Sequence, residues 1–341
     1  MGGPILLDDS FRQLQDDAFQ KKVQFYVQQF DRVRIEIKKL VVGQDEVITA
    51  LIEALIANGH VLVEGIPGVG KTLTIRTLAK ITGCQFSRIQ FTPDLLPTDI
   101  VGITTYEEGK GFFTIKGPIF SNFVLADEIN RSPPKVQSAL LESMQEHQAT
   151  IGKETFQLPS PFFVMATQNP VEQLGTYKLP EAQVDRFLYK ILMTYPQMDD
   201  EIKILNQNIT MHDFSEYDLA PILSQMDILD AQKFVKKIYT NPKIEKYIIR
   251  IVDATRHPEN YNIVAGKYIA YGASPRAGIS LHIASKARAL IKGRGYVMPD
   301  DVKEVAYNVL RHRILLNFEG EAEEIKSENI IKEILDKVPI V

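Results

Sequence analysis

Between residues 10 and 39 the apolar positions Phe11, Leu14, Ala18, Val23, Tyr26, Val27 and Phe30 recur at roughly helical spacing with charges between them. That is the pattern of a helix with one buried face. A second helix is predicted from Gln44 to Asn58, after Gly43. The grammar then changes. Val61–Glu64, Phe86–Phe91, Phe123–Ala126, Phe162–Ala166 and Phe187–Met193 are short apolar runs separated by helical patterns. Such alternation predicts a mostly parallel sheet with helices on its faces, the α/β class. Two segments interrupt it. Tyr106–Ile115, with Gly109 and Gly111, and Thr150–Leu158, with Gly152-Lys153, read as β-hairpins. After Tyr195-Pro196 the strand signals stop. Residues 229–240, 243–257, 275–292, 299–313 and 321–337 carry helical patterns, predicting a helical second domain. Residues 206–228 match no template.

A length of 341 residues suits two domains. Apolar residues are 45% of the chain, enough for a sizeable core, which excludes the disordered classes. The net charge is −4 and neither half is basic, so the chain as a whole makes no electrostatic claim on nucleic acid or anionic membrane. One cysteine, Cys84, cannot form an intrachain disulfide, and with six scattered histidines it makes no zinc spacing. Cys84, between helix and strand, reads as a small packed residue. His60 reads as capping the turn into the first strand. No apolar run reaches membrane-spanning length, and no basic flank precedes an apolar stretch at the N-terminus. A cytoplasmic protein is expected.

Gly65-Ile66-Pro67-Gly68-Val69-Gly70-Lys71-Thr72 fits GxxxxGK[ST] at every fixed position, with a buried-type strand before it and a helical pattern from Leu73 after it. Glycines let backbone N–H groups turn inward, and with the helix N-terminus those groups form an anion site. Lys71 would supply charge to β- and γ-phosphates, and Thr72 a hydroxyl to Mg²⁺. The strand Phe123-Val124-Leu125-Ala126 ends in Asp127-Glu128. Ligands bind at the C-terminal edge of a parallel sheet, so Asp127 would hold Mg²⁺ through water. Glu128, expected on the strand's other face, could orient and deprotonate an attacking water. Thr167-Gln168-Asn169-Pro170 follows the next buried strand. Asn169 is the better candidate there for a γ-phosphate contact, and Thr167 the weaker. Arg186, at the end of a helix before the last strand, and Arg276, in Ser274-Pro275-Arg276, could stabilise charge on a transferring phosphoryl group, or could be structural ion-pair arginines.

Val42-Gly43-Gln44, the phosphate loop, the Asp127-Glu128 strand, Asn169, Asp185-Arg186-Phe187 and Ser274-Pro275-Arg276 occur in the order and spacing of AAA+ ATPases. The run Asp127 to Glu142, Ala166-Thr167-Gln168-Asn169-Pro170, Leu179-Pro180-Glu181-Ala182 and Gly272 to Ala277 resemble the MoxR subgroup in particular. The resemblance covers roughly residues 35–320. It implies a P-loop NTPase core with parallel strand order 5-1-4-3-2 and a C-terminal all-helical lid. The domains would be an N-terminal helical extension at 1–34, a nucleotide-binding domain at 35–197 and the lid at 198–341. It implies Lys71 and Thr72 as the Walker A pair, Asp127 and Glu128 as Walker B, Asn169 as sensor 1, Arg186 as arginine finger and Arg276 as sensor 2. Gly43 and Gln44 would pack near adenine, and Gly65, Pro67, Gly68, Val69, Gly70 and Leu73 would line the nucleotide. The hairpins resemble the helix-2 and pre-sensor-1 inserts. ATP and Mg²⁺ are the implied cofactors. Implied too are a homo-hexamer and chaperone-like action on protein partners, which often carry von Willebrand A domains.

A nucleic-acid motor and a metal-chelatase-type motor subunit share this architecture. Against the first, Lys110 and Lys116 are offset by Glu107 and Glu108 in one hairpin, and Lys153 by Glu154 in the other. Neither hairpin has a basic tip to track phosphates, so no nucleic-acid partner is expected.

Overall fold

The computed structural model describes residues 16–109, 111–170, 175–207, 214 and 217–340. Helix α1 spans Asp17–Lys38 and α2 spans Asp45–Ile56. The start of the first predicted helix lies outside the described residues. The α/β part then runs β1 (Val61–Gly65), α3 (Lys71–Ile81), β2 (Phe86–Gln90), α4 (Pro97–Val101), β3 (Gly102–Glu107), β4 (Gly111–Lys116), β5 (Phe123–Asp127), α5 (Pro134–Glu146), β6 (Gln148–Ile151), β7 (Glu154–Gln157), β8 (Phe163–Gln168), α6 (Glu181–Val184), β9 (Tyr189–Met193) and α7 (Met198–Gln207).

Five strands pair in parallel in the order β9-β1-β8-β5-β2. Counted along the chain, that order is 5-1-4-3-2. The three central strands are continuous apolar runs because helices cover both faces. On one face, Leu62, Val124, Ala126, Val164 and Ala166 pack against Val136, Leu140, Leu141 and Met144 of α5. Each large side chain buried there contributes roughly 1.5–3 kcal/mol. Parallel pairing sets Gln90 opposite Asp127 and Ala126 opposite Ala166, so the chain leaves β2, β5 and β8 along one edge.

The two hairpins are β3–β4 and β6–β7. The first starts earlier than the pattern predicts, at Gly102, where α4 ends. Gly102 has φ 109°, and a Cβ there would lie 2.2 Å from the Ile115 carbonyl oxygen. Only glycine permits helix to turn directly into hairpin at that point. The hairpin exposes Ile103, Tyr106, Phe112 and Ile115. Thr104 approaches Gly152 of the second hairpin.

Of the segment without a template, residues 208–213 and 215–216 lie outside the described residues, and the described remainder has tertiary partners. Ile222 and Leu223 donate their N–H groups to the Ile81 carbonyl at 2.7 and 3.2 Å, capping the C-terminal end of α3. The Arg76 guanidinium lies 4.1 Å from the Phe214 ring centroid. Gln225 donates to Asn122 at 3.2 Å. These long-range contacts, rather than periodicity, hold Phe214, Ile222, Leu223 and Gln225.

The remainder is helical: α8 (Gln225–Val235), α9 (Pro242–Arg256), α10 (Pro275–Ile291), α11 (Pro299–Leu310), α12 (Phe318–Ala322) and α13 (Ser327–Lys337). It also holds a short antiparallel ribbon, β10 (Ile269–Tyr271) with β11 (Leu315–Leu316), where the pattern predicts helices alone. Strands of three and two residues are too short to show a period. Asn241 and Ser274 cap α9 and α10, each followed by proline at the first helical position, the stereochemically favoured start. Asn317 caps α12, which with α13 replaces one predicted helix at 321–337.

The chain divides into two compact units. One is Arg32–Asp230. The other joins the described residues up to Asp31 to the C-terminal region from Ala231, and in it Phe19 and Tyr26 of α1 pack tilted against Phe234 with ring centroids 5.0 and 5.2 Å away. No helix among the described residues is long and apolar enough to cross a membrane.

Candidate functional site

The phosphate loop joins β1 to α3. Gly68 and Gly70 have φ 83° and 86°, and both lie where an added Cβ would meet nothing. Their requirement is conformational: the left-handed backbone that turns the loop's N–H groups inward. Gly65 answers to packing instead, since a Cβ there would lie 2.6 Å from the Met193 carbonyl oxygen on β9. Lys71 and Thr72 open α3. The Lys71 ammonium donates to the Gly65 carbonyl at 2.7 Å, folded back along its own loop.

A cavity of about 470 Å³ lies above this loop. Pro67, Gly68, Gly70, Lys71, Thr72 and Leu73 line one side, and Asp127, Glu128 and Asn169 the other. A second cavity of about 110 Å³ shares Gly68, Gly70 and Leu73 with the first. Val69 and Gln44 line it with Leu40, Val41, Val42, Pro196 and Ile204. Its walls are largely aliphatic. Gln44 is buried, and its amide donates to the Thr194 carbonyl at 3.0 Å. Gly43 borders this region with φ 74°, against Asp200.

The two carboxylates face the same cavity rather than opposite faces of the strand. β5 ends at Asp127, and Glu128 turns left-handed with φ 56° and ψ 49°. Strand alternation therefore stops one residue early. Such a conformation costs a non-glycine residue on the order of 1–3 kcal/mol and needs outside support. Thr167 supplies it. This buried hydroxyl accepts the Glu128 N–H at 2.8 Å and donates to Asp127 Oδ1 at 2.7 Å. Thr167, the weaker candidate by sequence, thus touches both acids.

Strand β2 holds one oxygen of each carboxylate. Arg88 donates to Asp127 Oδ2 from Nε at 3.1 Å and from Nη2 at 2.7 Å. Its Nη2 also reaches Gln90 Oε1 at 2.7 Å, and the Gln90 amide donates to Glu128 Oε2 at 2.9 Å. Arg131 donates to the same Glu128 oxygen at 2.9 Å. Sequence reasoning misses Arg88 and Gln90, although their spacing of two at a strand end puts both on one face.

Arg186 lies just past α6, outside both cavity linings, and its Nη1 donates to the Leu141 carbonyl on α5 at 3.0 Å. Arg276 opens α10 in the other compact unit, its N–H capped by Ser274 at 3.1 Å.

Residues 60–189 match the model of the ATPase family associated with various cellular activities (AAA), and residues 263–334 match that of the AAA lid domain. The chain is 46% identical to Chaperone MoxR1 of Mycobacterium tuberculosis, covering 92% of this chain and 83% of that protein. It belongs to the MoxR family of AAA+ ATPases. It is also 30% identical to Protein MoxR of Methylorubrum extorquens, covering 90% of this chain and 94% of that one. A crystal structure from Cytophaga hutchinsonii, described as a candidate ATPase, superposes with a TM-score of 0.88 at 50% identity, covering 94% of this chain and 97% of that one. This MoxR-family chain is an ATPase with a chaperone-like role, and the phosphate loop and acidic strand end both lie in the segment that matches the AAA model.

A divalent ion bound with nucleotide phosphates asks for hard oxygen donors and few protein ligands. Thr72 and Asp127 line one cavity and meet that description. Among the described residues no group of three His, Cys, Asp or Glu could hold a metal on protein ligands alone.

Proposed function

We propose that this protein hydrolyses ATP with Mg²⁺ at sites shared between subunits of a homo-hexamer, and uses the energy to remodel or activate a partner protein in the cytoplasm. One observation carries the reading: Lys71, Thr72, Asp127, Glu128 and Asn169 line a single cavity above a glycine-turned phosphate loop. The triphosphate lies along the loop's N–H groups. Lys71 leaves the Gly65 carbonyl to contact the β- and γ-phosphates. Val69, Leu73, Ile204 and Gln44 enclose the base in the aliphatic cavity, with Gly43 setting the approach of the chain. Thr72 and Asp127 hold the Mg²⁺, which when bound neutralises phosphate charge. Asn169 contacts the γ-phosphate.

Glu128 orients the attacking water and accepts its proton. Its left-handed turn and the Thr167 hydrogen bond hold the carboxylate at the cavity wall. Gln90 and Arg131 donate to one carboxylate oxygen, Oε2, and so orient the carboxylate, whose Oε1 takes the proton. Arg186 serves a neighbouring subunit's site, since it is turned onto its own α5 and lines neither of its own cavities. Arg276 contacts nucleotide through the lid.

The exposed aliphatic and aromatic residues of the β3–β4 hairpin support a protein client over a phosphate backbone. A partner carrying a von Willebrand A domain is the class to test first.

Glu128→Gln is the deciding experiment. It is expected to retain ATP, lower turnover about 10²–10⁴-fold and hold client and nucleotide together on an affinity column. Turnover at the wild-type rate would mean that Glu128 is not the group that activates water.

A further inference from the structure

Helix α5 is apolar where it meets the sheet, yet carries a fully buried glutamine near its N-terminal end. An amide is costly to bury unless it is hydrogen-bonded. Gln137 directs its Nε2 at three backbone carbonyls: Ile129 at 3.1 Å, Ser132 at 3.0 Å and Tyr177 at 3.2 Å. The first two belong to the turn that follows Glu128. The third belongs to the chain that leads to Arg186. Tyr177 is tied to the same turn a second time, its N–H donating to the Asn130 carbonyl at 2.6 Å. Further along α5, Ser138 accepts from the Gln183 amide at 3.1 Å, and the Leu141 carbonyl accepts from Arg186. One helix therefore holds the turn that carries the carboxylate and the segment that carries the arginine.

We propose that Gln137 is a positioning residue that fixes the Glu128 turn and the Tyr177–Arg186 segment to α5 as one body. A subunit's own water-activating group and the arginine it offers to the next site are thereby set together. The inference rests on the reading of Glu128 as the base and Arg186 as a group acting in trans. The chemistry selects glutamine. A neutral side chain with two N–H donors can serve several buried carbonyls. A hydrocarbon would leave them unpaired, and a charged donor would carry its charge into the core.

Gln137→Met keeps the shape and removes both donors. Nucleotide affinity is expected to stay within about twofold, and kcat to fall at least about tenfold with little change in KM, the mark of an interaction used in the transition state. Because this variant leaves carbonyls unpaired, a thermal melt accompanies it, and Gln183→Leu serves as the milder variant. Gln183→Leu loosens only the arginine side and is expected to lower kcat less.

Mixing decides the assignment. Lys71→Ala subunits keep a good arginine and Arg186→Ala subunits keep a good pocket, so mixed rings of these two are expected to regain activity. Gln137→Met subunits are expected to restore neither tester. If they restore one of them fully, or if Gln137→Met loses nucleotide affinity in proportion to kcat, the positioning role is wrong. If the two testers fail to restore each other, the shared site itself is wrong and this inference goes with it.

Discussion

The parallel sheet carries polar groups at both ends of its strands, and the two ends behave differently. At the N-terminal end His60 is buried, its Nε2 donating to the Met144 carbonyl at 3.2 Å and its Nδ1 accepting the Val164 N–H at 3.1 Å. Both ring nitrogens are used by backbone, and Phe162 closes on the ring edge-on at 5.6 Å. Burial, with a smaller contribution from His147, pushes the imidazole down to about 4. At the C-terminal end Asp127, Glu128 and Asn169 line a cavity. Both carboxylates there are held by side chains that can move aside: Arg88, Gln90 and Arg131. A polar group at a strand end is thus not a sign of function in itself. The distinction is between a group whose bonds are all made by fixed backbone and one whose bonds can be exchanged for a ligand's.

Arg186 tests whether the cavity edge is a whole site, because it lines neither cavity of its own chain. Arg186→Ala is expected to leave nucleotide binding largely intact and lower turnover by about 10³–10⁵, the size of an arginine supplied in trans in other phosphoryl-transfer systems. Steady-state hydrolysis beside a nucleotide-binding titration measures it. Full activity from a dilute monomer would confine catalysis to one chain's cavity.

Thr167→Val sharpens the exchangeable end. The change preserves volume but leaves Asp127 Oδ1 and the Glu128 N–H without their shared partner. Turnover is expected to fall about tenfold or more, with a stability loss of about 1–3 kcal/mol. Thr167→Ser keeps the hydroxyl and is expected to retain most of the turnover; if it lost as much as Thr167→Val, the hydroxyl would not be the group that supports the two acids.

His60 gives the smallest effect on turnover, and none directly. Its folded-state value lies below the ordinary 6.5, so the folded protein favours the neutral ring. The associated stability is fully present above pH 6.5 and is lost as the pH falls towards 4, up to about 3 kcal/mol. Urea midpoints at pH 7.5 and 5 should separate for the wild type and converge for His60→Asn. Nucleotide affinity at pH 7.5 should not change. If it did, the two ends would be coupled and the contrast between them would fail.

The phosphate loop is legible in the sequence because its demands are local: glycine where φ is positive, a strand before it, a helix after it. The five core strands are legible because a sheet covered on both faces needs uninterrupted apolar runs. Glu128 shows where local reasoning stops. Alternation along β5 puts it on the far face, and only its left-handed turn, held from β8 by Thr167, returns it to the cavity. Position before a strand makes His60 look like a turn cap, whereas it bridges α5 and β8. The β10–β11 ribbon and the segment capping α3 likewise depend on partners distant in sequence.

By itself the sequence determined the nucleotide chemistry and the layered core, since both follow from residue type and short spacing. Tertiary structure alone decided that Arg88 and Gln90 of β2 reach the two carboxylates. It also decided that Thr167 joins them, that Pro196 and Ile204 close the aliphatic cavity, and that α5 carries both the Glu128 turn and the approach to Arg186. The physical reason is the same in each case. Parallel pairing brings the ends of strands far apart in the chain to one edge, and a hydrogen bond depends on position in space rather than on separation in sequence.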